Sequence, residues 1–317
     1  MITGGTGYIG HAIVAALAPI SCDIKLISRE SKLPEDLQKT QAKITLVQKD
    51  ITDQSFWSDI IDNTDFIFHL AGQTSSAFAN AHPQKDFEIN VLPIIRFVEH
   101  AKTLSKKPTV IFAATSTQIG YTKTGLHDES EKDTPITVYD INKLCAEKYL
   151  MYYAMQLGGS ATSLRLTNVY GPGHRSSKPD RGIVNKMIQQ ALTSKPLTVY
   201  GEGEFIRDYI FIDDVADAFL DSGEHIQKLS VNYFLIGTGK GYTIYEMMSM
   251  IQYQIKSTAS ISIPLDSIPL PEGISQIEER NFIANSNEFQ KETNWKPLVT
   301  LEEGIKKTVE YYYNKKV

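Results

Sequence analysis

Thr-Gly-Gly-Thr-Gly-Tyr-Ile-Gly, residues 3 to 10, decides how the rest of the chain is read. Gly4, Gly7 and Gly10 are spaced three apart, and Gly5, Gly7 and Gly10 complete a G-x-G-x-x-G directly before the apolar run Ala12 to Leu17. Glycines at this spacing permit a tight turn, close approach of backbone to a pyrophosphate, and close packing of the following helix, whose N-terminal N–H groups and dipole favour an anion. Taken alone the stretch reads equally well as a tight loop, and only its context separates the two. One oddity is that Met1 and Ile2 alone precede Thr3, whereas a central strand normally has about five or six residues. Either the strand is clipped or the natural start lies upstream.

The context is an alternation of elements. Asp23 to Ile27, Lys43 to Val47, Asp65 to Leu70, Thr109 to Thr115 and Ala161 to Leu166 read as short buried strands. Helical patterns separate them at about 7 to 18, from Asp50 through Ile61, from Phe87 to Lys102 despite Pro93, and from Tyr139 to Gln156, the last stopped by Gly158 and Gly159. The alternation predicts an α/β fold, a Rossmann-like doubly wound parallel sheet with helices on both faces. Beyond residue 168 the texture changes to a Gly-, Pro- and Ser-rich loop, a short helix at 182 to 193, and short strands near Leu197 to Tyr200 and Asp208 to Phe211. A helix then runs from Asp213, a strand from Val231 to Ile236, and helices at about 243 to 255 and 301 to 313. The expected division is a dinucleotide-binding part at 1 to 168, with returns near 208 to 236, and a smaller, intercalated substrate-binding part at 169 to 317.

Composition narrows the partners. Of 317 residues, 42 % are hydrophobic and 22 % charged, which fits a folded globular protein, and a net charge of -5 gives no footprint for nucleic acid. Cys22 and Cys145 have no metal or redox spacing and are expected to be free thiols in a reducing, cytoplasmic compartment. No apolar run approaches the roughly 20 residues that span a bilayer. Asp213 and Asp214 read as a helix N-cap rather than a metal pair, and His69 and His174 lack partners at ligand spacing, so no metal is expected.

Several motifs together resemble those of extended short-chain dehydrogenases/reductases of the nucleotide-sugar epimerase/dehydratase family, over nearly the whole chain. They are residues 3 to 10, Asp50-Ile51, His69-Leu70-Ala71-Gly72, Thr115, Tyr139-x-x-x-Lys143, Arg165 to Gly173 (ArgLeuThrAsnValTyrGlyProGly), Arg207 to Ala216 and Asn294 to Pro297. The spacing of Tyr139 and Lys143 recurs at Tyr311/Lys315 and Tyr312/Lys316, but only the first pair opens a helix after the fifth strand, with both side chains on one face. There an ammonium would lower the phenol's pKa from about 10, so that Tyr139 could shuttle a proton while a nicotinamide takes or gives hydride.

The resemblance implies Thr115, Tyr139 and Lys143 as the catalytic set. Thr115, or its neighbours Ser116 and Thr117, would hydrogen-bond the sugar oxygen. Cofactor contacts are expected from Gly4, Gly7, Tyr8, Ile9, Gly10, Ser28, Arg29, Asp50, Ile51, Leu70, Ala71, Gly72 and Asn90, together with Tyr139 and Lys143. Asp50 reads alternatively as a helix cap. Asn168, Arg207 and Arg280 resemble the family's phosphate-binding side chains, and arginine suits that task through its planar, permanently charged fork. Lys178 and Arg181 could reach the nucleotide or be solvated charges.

At the end of the second strand, where NAD-binding proteins usually carry an acid, the chain has Ser28-Arg29, which favours NADP(H) over NAD(H), although Glu30 could serve NAD. Ser116 and Thr117 stand where family 4,6-dehydratases carry an Asp-Glu pair, which argues against dehydration. The expectation is therefore a 4-epimerase of a nucleotide-linked hexose. An NADPH-dependent reductase of NDP-4-keto-deoxysugars is the alternative, followed by a non-catalytic dinucleotide binder. Family members pair long helices into a homodimer, here from 87 to 102 and 139 to 156.

Overall fold

The computed structural model describes residues 1–37, 40–123, 125–173, 182–270 and 276–315. His174, Lys178, Arg181 and Lys316 lie outside the described residues. Seven parallel strands form the main sheet: β1 (Ile2–Thr3), β2 (Asp23–Ser28), β3 (Lys43–Gln48), β4 (Phe66–His69), β5 (Thr109–Thr115), β6 (Ser160–Leu166) and β7 (Tyr233–Ile236). Their order is β7-β6-β5-β4-β1-β2-β3, so the chain reverses direction across the sheet between β1 and β4. In doubly wound sheets a ligand lies beyond the carboxyl ends of the strands at that reversal.

Alternation along the strands divides two cores. Leu26, Phe68, Ile111 and Leu164 face one side with Ile13, Val14 and Phe219. Their neighbours Ile27, Ile67, Val110 and Phe112 face the other with Trp57, Phe97, Leu150 and Tyr153. Strands buried on both faces explain why these segments read as continuous apolar runs. A third cluster built on the helices Ile183–Leu192, Ile244–Ala259 and Leu301–Asn314 serves the second half of the chain.

Three expectations are corrected. The single helix from Phe87 to Lys102 is two, Pro83–Asn90 and Leu92–Ala101, with the break at Val91. Pro93 has no N–H to donate and would clash with the preceding turn, so it sits in the first turn of a new helix. The returns near 208 to 236 divide: the helix Ile212–Glu224 packs on Tyr8–Leu17 and β7 joins the main sheet, but Ile206–Phe211 belongs to a separate three-stranded sheet with Asn168–Tyr170 and Gly241–Thr243. Asp214 does not cap the helix Ile212–Glu224, whose N-cap is Phe211. Its buried carboxylate instead accepts the backbone N–H groups of Leu298 (2.9 Å) and Val299 (3.1 Å), tying the C-terminal segment to this helix.

Candidate active site

The glycine turn emerges from β1 at the centre of the sheet. Gly4 has φ +68°, and a Cβ there would stand 2.9 Å from Ala71 N. A Cβ on Gly10 would lie 2.6 Å from Gly5 Cα and closer still to Gly4 O. Both positions therefore require glycine, one for backbone conformation and one for close approach. Helix Tyr8–Leu17 begins at Gly7, which has no side chain to cap its first-turn N–H groups. The turn thus offers uncapped donors and a helix dipole, and its chemistry fits the pyrophosphate of a dinucleotide. Thr3 Oγ1 accepts the N–H groups of Leu70 and Ala71 (both 3.2 Å), which fixes the Leu70-Ala71-Gly72 segment beside the turn.

Tyr8 points away from the turn. Its hydroxyl donates to Gly171 O (2.8 Å) and accepts from Asn185 Nδ2 (3.2 Å), and Asn185 also holds both the N–H and the carbonyl of Gly171. At the rim, Ser28 is buried. Its hydroxyl bonds Thr6 Oγ1 (2.6 Å) and accepts from Glu30 N (3.0 Å), while Arg29 and Glu30 are exposed. Asp50 closes a short turn by accepting from both the N–H and the hydroxyl of Thr52, and these bonds, with the field of Arg29 behind them, bring its carboxyl below the ordinary value against the opposing burial. Ile51 is packed in the core beside Ile27 and Trp57.

Tyr139 and Lys143 lie in the first turns of Val138–Leu157, whose N-cap Thr137 accepts from Asp140 N. Tyr139 is half-buried and Lys143 is buried, its Nζ 3.9 Å from the centroid of Phe112. Desolvation lowers the Lys143 pKa to about 7 against the opposing fields of Asp86 and Glu147. Asp86 is fully buried, and three side-chain amides converge on its carboxylate: Gln73 (2.6 Å), Asn90 (3.0 Å) and Asn142 (2.7 Å). Asn90 spends its remaining amide capacity on both backbone groups of Gln73, which anchors the segment after Gly72.

Lys143 yields a test in stability. The folded protein releases this proton near pH 7, whereas the unfolded chain holds it to about 10.5. Between these values the unfolded state binds more protons, so the residue's contribution to stability rises with pH. The unfolding free energy of wild type relative to Lys143→Met, from urea denaturation, is expected to increase by about 2 kcal/mol between pH 7 and pH 9. A pH-independent difference means that the ammonium is not desolvated.

Thr115 ends β5 and caps the 3-10 turn Ser116–Ile119. Its Oγ1 lies 2.7 Å from Thr117 Oγ1, and its N–H donates to Gln118 Oε1 (3.2 Å). Ser116 is buried. On the other side, Asn168 Nδ2 donates to Asp208 O (2.9 Å). Arg207 and Arg280 are both buried. Arg207 donates to the carbonyls of Ile206, Glu278 and Arg280, and Arg280 Nη1 to Ile277 O, while Arg280 Nε has no partner. Among the described residues neither guanidinium makes an ion pair. Burial, with Arg280 alongside, lowers the Arg207 pKa to about 10, and burial lowers that of Arg280 as well. The fields of Glu278 and, at Arg280, Asp140 oppose that lowering, but two buried cations with no carboxylate in direct contact among the described residues remain costly unless an anion joins them.

Sequence reasoning missed Asp86, Gln73, Asn142 and Asp140. Asp86 and Asn90, four apart in one helix, were the one visible signal. His69 is buried between Phe112 and Trp57, its Nδ1 bonded to Thr3 (3.0 Å) and its pKa lowered by burial to about 3, in keeping with a structural role.

The sequence profile of the NAD-dependent epimerase/dehydratase family matches residues 1–237. The chain belongs to that family. It is similar to the UDP-glucose 4-epimerase of Mycolicibacterium smegmatis, 26% identical over 99% of this chain and 98% of that protein. It is also similar to the dTDP-4-dehydro-6-deoxyglucose reductase of Escherichia coli, 25% identical over 98% and 96%. The crystal structure of UDP-glucose 4-epimerase from Thermotoga maritima with UDP-glucose superposes with a TM-score of 0.86 at 28% identity, covering 100% of this chain and 99% of that one. This epimerase/dehydratase chain is thus an NAD(P)-dependent enzyme of the sugar-nucleotide class. Among its described residues, no helix is long and apolar enough to cross a membrane.

Proposed function

We propose that the protein is a 4-epimerase of a nucleoside-diphosphate hexose. The observation that carries the reading is the pair of buried arginines, Arg207 and Arg280, which make no ion pair among the described residues and include an orphaned Nε. A diphosphate supplies the charge and the bidentate acceptors such forks require. Asn168, beside them, is suited to add a donor. Residues 169–317 then serve mainly the nucleotide sugar and residues 1–168 mainly the dinucleotide. A nicotinamide dinucleotide, bound at the glycine turn, supplies a redox partner for the sugar carbinol. Tyr139 takes the hydroxyl proton and later returns it, Lys143 balances the phenolate's charge, and the hydroxyl at the end of β5 orients the sugar oxygen. The protein's own task between the two steps is to hold the diphosphate while the sugar turns.

For the cofactor we infer a preference for NADP(H). Arg29 is exposed at the rim of the turn and no acid ends β2 to accept a ribose diol, which suits a 2′-phosphate. The same residue favours the second reading, an NADPH-dependent reductase of an NDP-4-keto sugar. Apolar side chains on one face of Val138–Leu157 support a homodimer: Ile141, Tyr149, Tyr152 and Met155 are all exposed, opposite the buried Ala146, Leu150 and Tyr153. The two unpaired thiols suit a cytoplasmic setting.

The test is to denature freshly purified protein and identify the dinucleotide released. An epimerase regenerates its cofactor in each cycle, so stoichiometric bound NADP(H) is expected. Bound NAD(H) would keep the epimerase and remove the role given to Arg29. An empty protein that binds NADPH over NADH would replace the epimerase by the reductase.

A further inference from the structure

Asp140 follows Tyr139 directly, and the residue is 1 % exposed. One oxygen, Oδ2, accepts from Thr137 Oγ1 (2.6 Å), while the Asp140 N–H donates back to that hydroxyl (3.2 Å). That half is explained by the helix start, where an N-cap threonine and a carboxylate three residues on satisfy one another. The other oxygen has a different partner. Oδ1 accepts from Thr117 Oγ1, on the 3-10 turn after β5, and Thr117 Oγ1 is in turn 2.7 Å from Thr115 Oγ1. A helix cap has no need of this second bond, which joins the segment carrying Tyr139 to the hydroxyls at the end of β5.

A threonine hydroxyl has one proton to give. While Asp140 is ionised it can only accept, so the Thr117 proton is committed to it. Thr117 then accepts from Thr115, and Thr115 presents a lone pair outward. When Asp140 takes up a proton from solvent as the pH falls, the run of donors reverses, and Thr115 presents its O–H outward. An outward acceptor suits a sugar hydroxyl and an outward donor suits a sugar ketone, the two oxygen states through which a 4-epimerase passes. We propose that Asp140 is a positioning residue that sets the direction of the Thr115–Thr117 hydroxyl pair. The proposal rests on the epimerase reading. No proton is transferred to or from the sugar by this device, since Tyr139 performs that exchange.

The groups facing Asp140 are compatible with two protonation states. Thr117 and Thr137 bond it directly. Arg280 and Glu278, from the segment across the cleft, act on it with opposite fields, and Tyr139 and Lys143 share its helix. Burial raises its pKa, and the two hydroxyl bonds and Arg280 oppose the rise. The mutual field of Asp140 and Arg280 also joins the β5 end of the site to the arginine pair.

The experiment compares pH–rate profiles for interconversion of UDP-glucose and UDP-galactose by the holoenzyme in wild type, Asp140→Asn, Thr117→Val and Thr117→Ser. Asparagine keeps the shape and an acceptor for the cap but cannot change protonation. Asp140→Asn and Thr117→Val are each expected to lower kcat about 10- to 100-fold and to erase one limb of the profile, and Thr117→Ser to restore that limb relative to Thr117→Val. A loss of thermal stability with the profile unchanged in shape would overturn the proposal and leave Asp140 as a cap.

If wild type turns over neither sugar, the epimerase reading for these substrates fails and the hydroxyl chain is read separately from the 13C carboxyl titration of Asp140. Thr117→Val is expected to move its midpoint up by about 1 pH unit, by removing a bond to the charged form. Thr115→Val, which does not touch Asp140, is expected to move it up by less. A midpoint indifferent to Thr115 would overturn the coupling.

Discussion

Tyr139→Phe is expected to lower kcat about 1,000-fold while dinucleotide affinity and melting temperature stay close to wild type. The substitution removes only the phenolic oxygen, from a side chain that is half-buried at a helix start rather than packed in the core. General acid–base catalysis contributes roughly 100- to 10,000-fold, and a factor of about 1,000 corresponds to about 4 kcal/mol of lost transition-state stabilisation. The measurement is steady-state turnover of UDP-glucose alongside cofactor binding by fluorescence and a thermal melt. A loss of turnover matched by loss of cofactor would make Tyr139 a binding residue. Unchanged turnover would remove the proton-shuttle role, because Tyr311 sits on the C-terminal helix, its hydroxyl accepting from Lys315, and cannot substitute.

Arg280→Met is expected to make the protein more stable and a worse enzyme. In the free protein the Arg280 guanidinium is buried, donates to Ile277 O and leaves Nε unsatisfied. Burying an ion costs several kcal/mol, and the fields of Glu278 and Asp140 offset only part of that for a guanidinium that makes no ion pair among the described residues, so an apolar side chain of similar length is expected to stabilise the free protein by about 1–2 kcal/mol. At about 2 °C per kcal/mol for a chain of this size, the melting temperature of the substrate-free protein should rise by a few degrees. The nucleotide sugar, by contrast, loses charge-assisted hydrogen bonds worth about 1.5–3 kcal/mol, so its Kd should weaken roughly 10- to 150-fold. Calorimetric titration with UDP reads the affinity without requiring turnover. A lower melting temperature with unaltered UDP affinity would make Arg280 a structural clamp and remove the main support for a diphosphate substrate.

The legibility of the sequence followed backbone demands. The glycine turn, β5 and the helix carrying Tyr139 and Lys143 were readable because steric rules and apolar periodicity force them. The break at Val91 was missed because the apolar pattern continues across it, and only the missing N–H of Pro93 registers there. The polar apparatus was far less legible. In Pro-Gln-Lys-Asp-Phe-Glu-Ile-Asn (83 to 90), nothing in composition distinguishes the fully buried Asp86 from the solvent-facing Lys85 and Glu88. A buried acid is affordable only where several donors converge, and those donors come from Gln73 and Asn142, far off in the chain. Asp140 was passed over for the same reason, as was the destination of Asp214, whose partners lie about 85 residues on. Sequence reasoning found the groups that must be where they are for the chain to fold, and overlooked those that are polar because of what they face.

The bonds from Tyr8 and Asn185 to Gly171 bear on timing. Tyr8 opens the helix that follows the glycine turn, and Gly171 follows the strand Asn168–Tyr170. Any widening of the gap between these two stretches must break the hydroxyl–carbonyl bond, and a neutral bond of that kind holds by about 1 kcal/mol. One such bond slows separation of the two stretches several-fold. The time for which the start of the first helix stays joined to the second half of the chain is thus partly written into a single phenol.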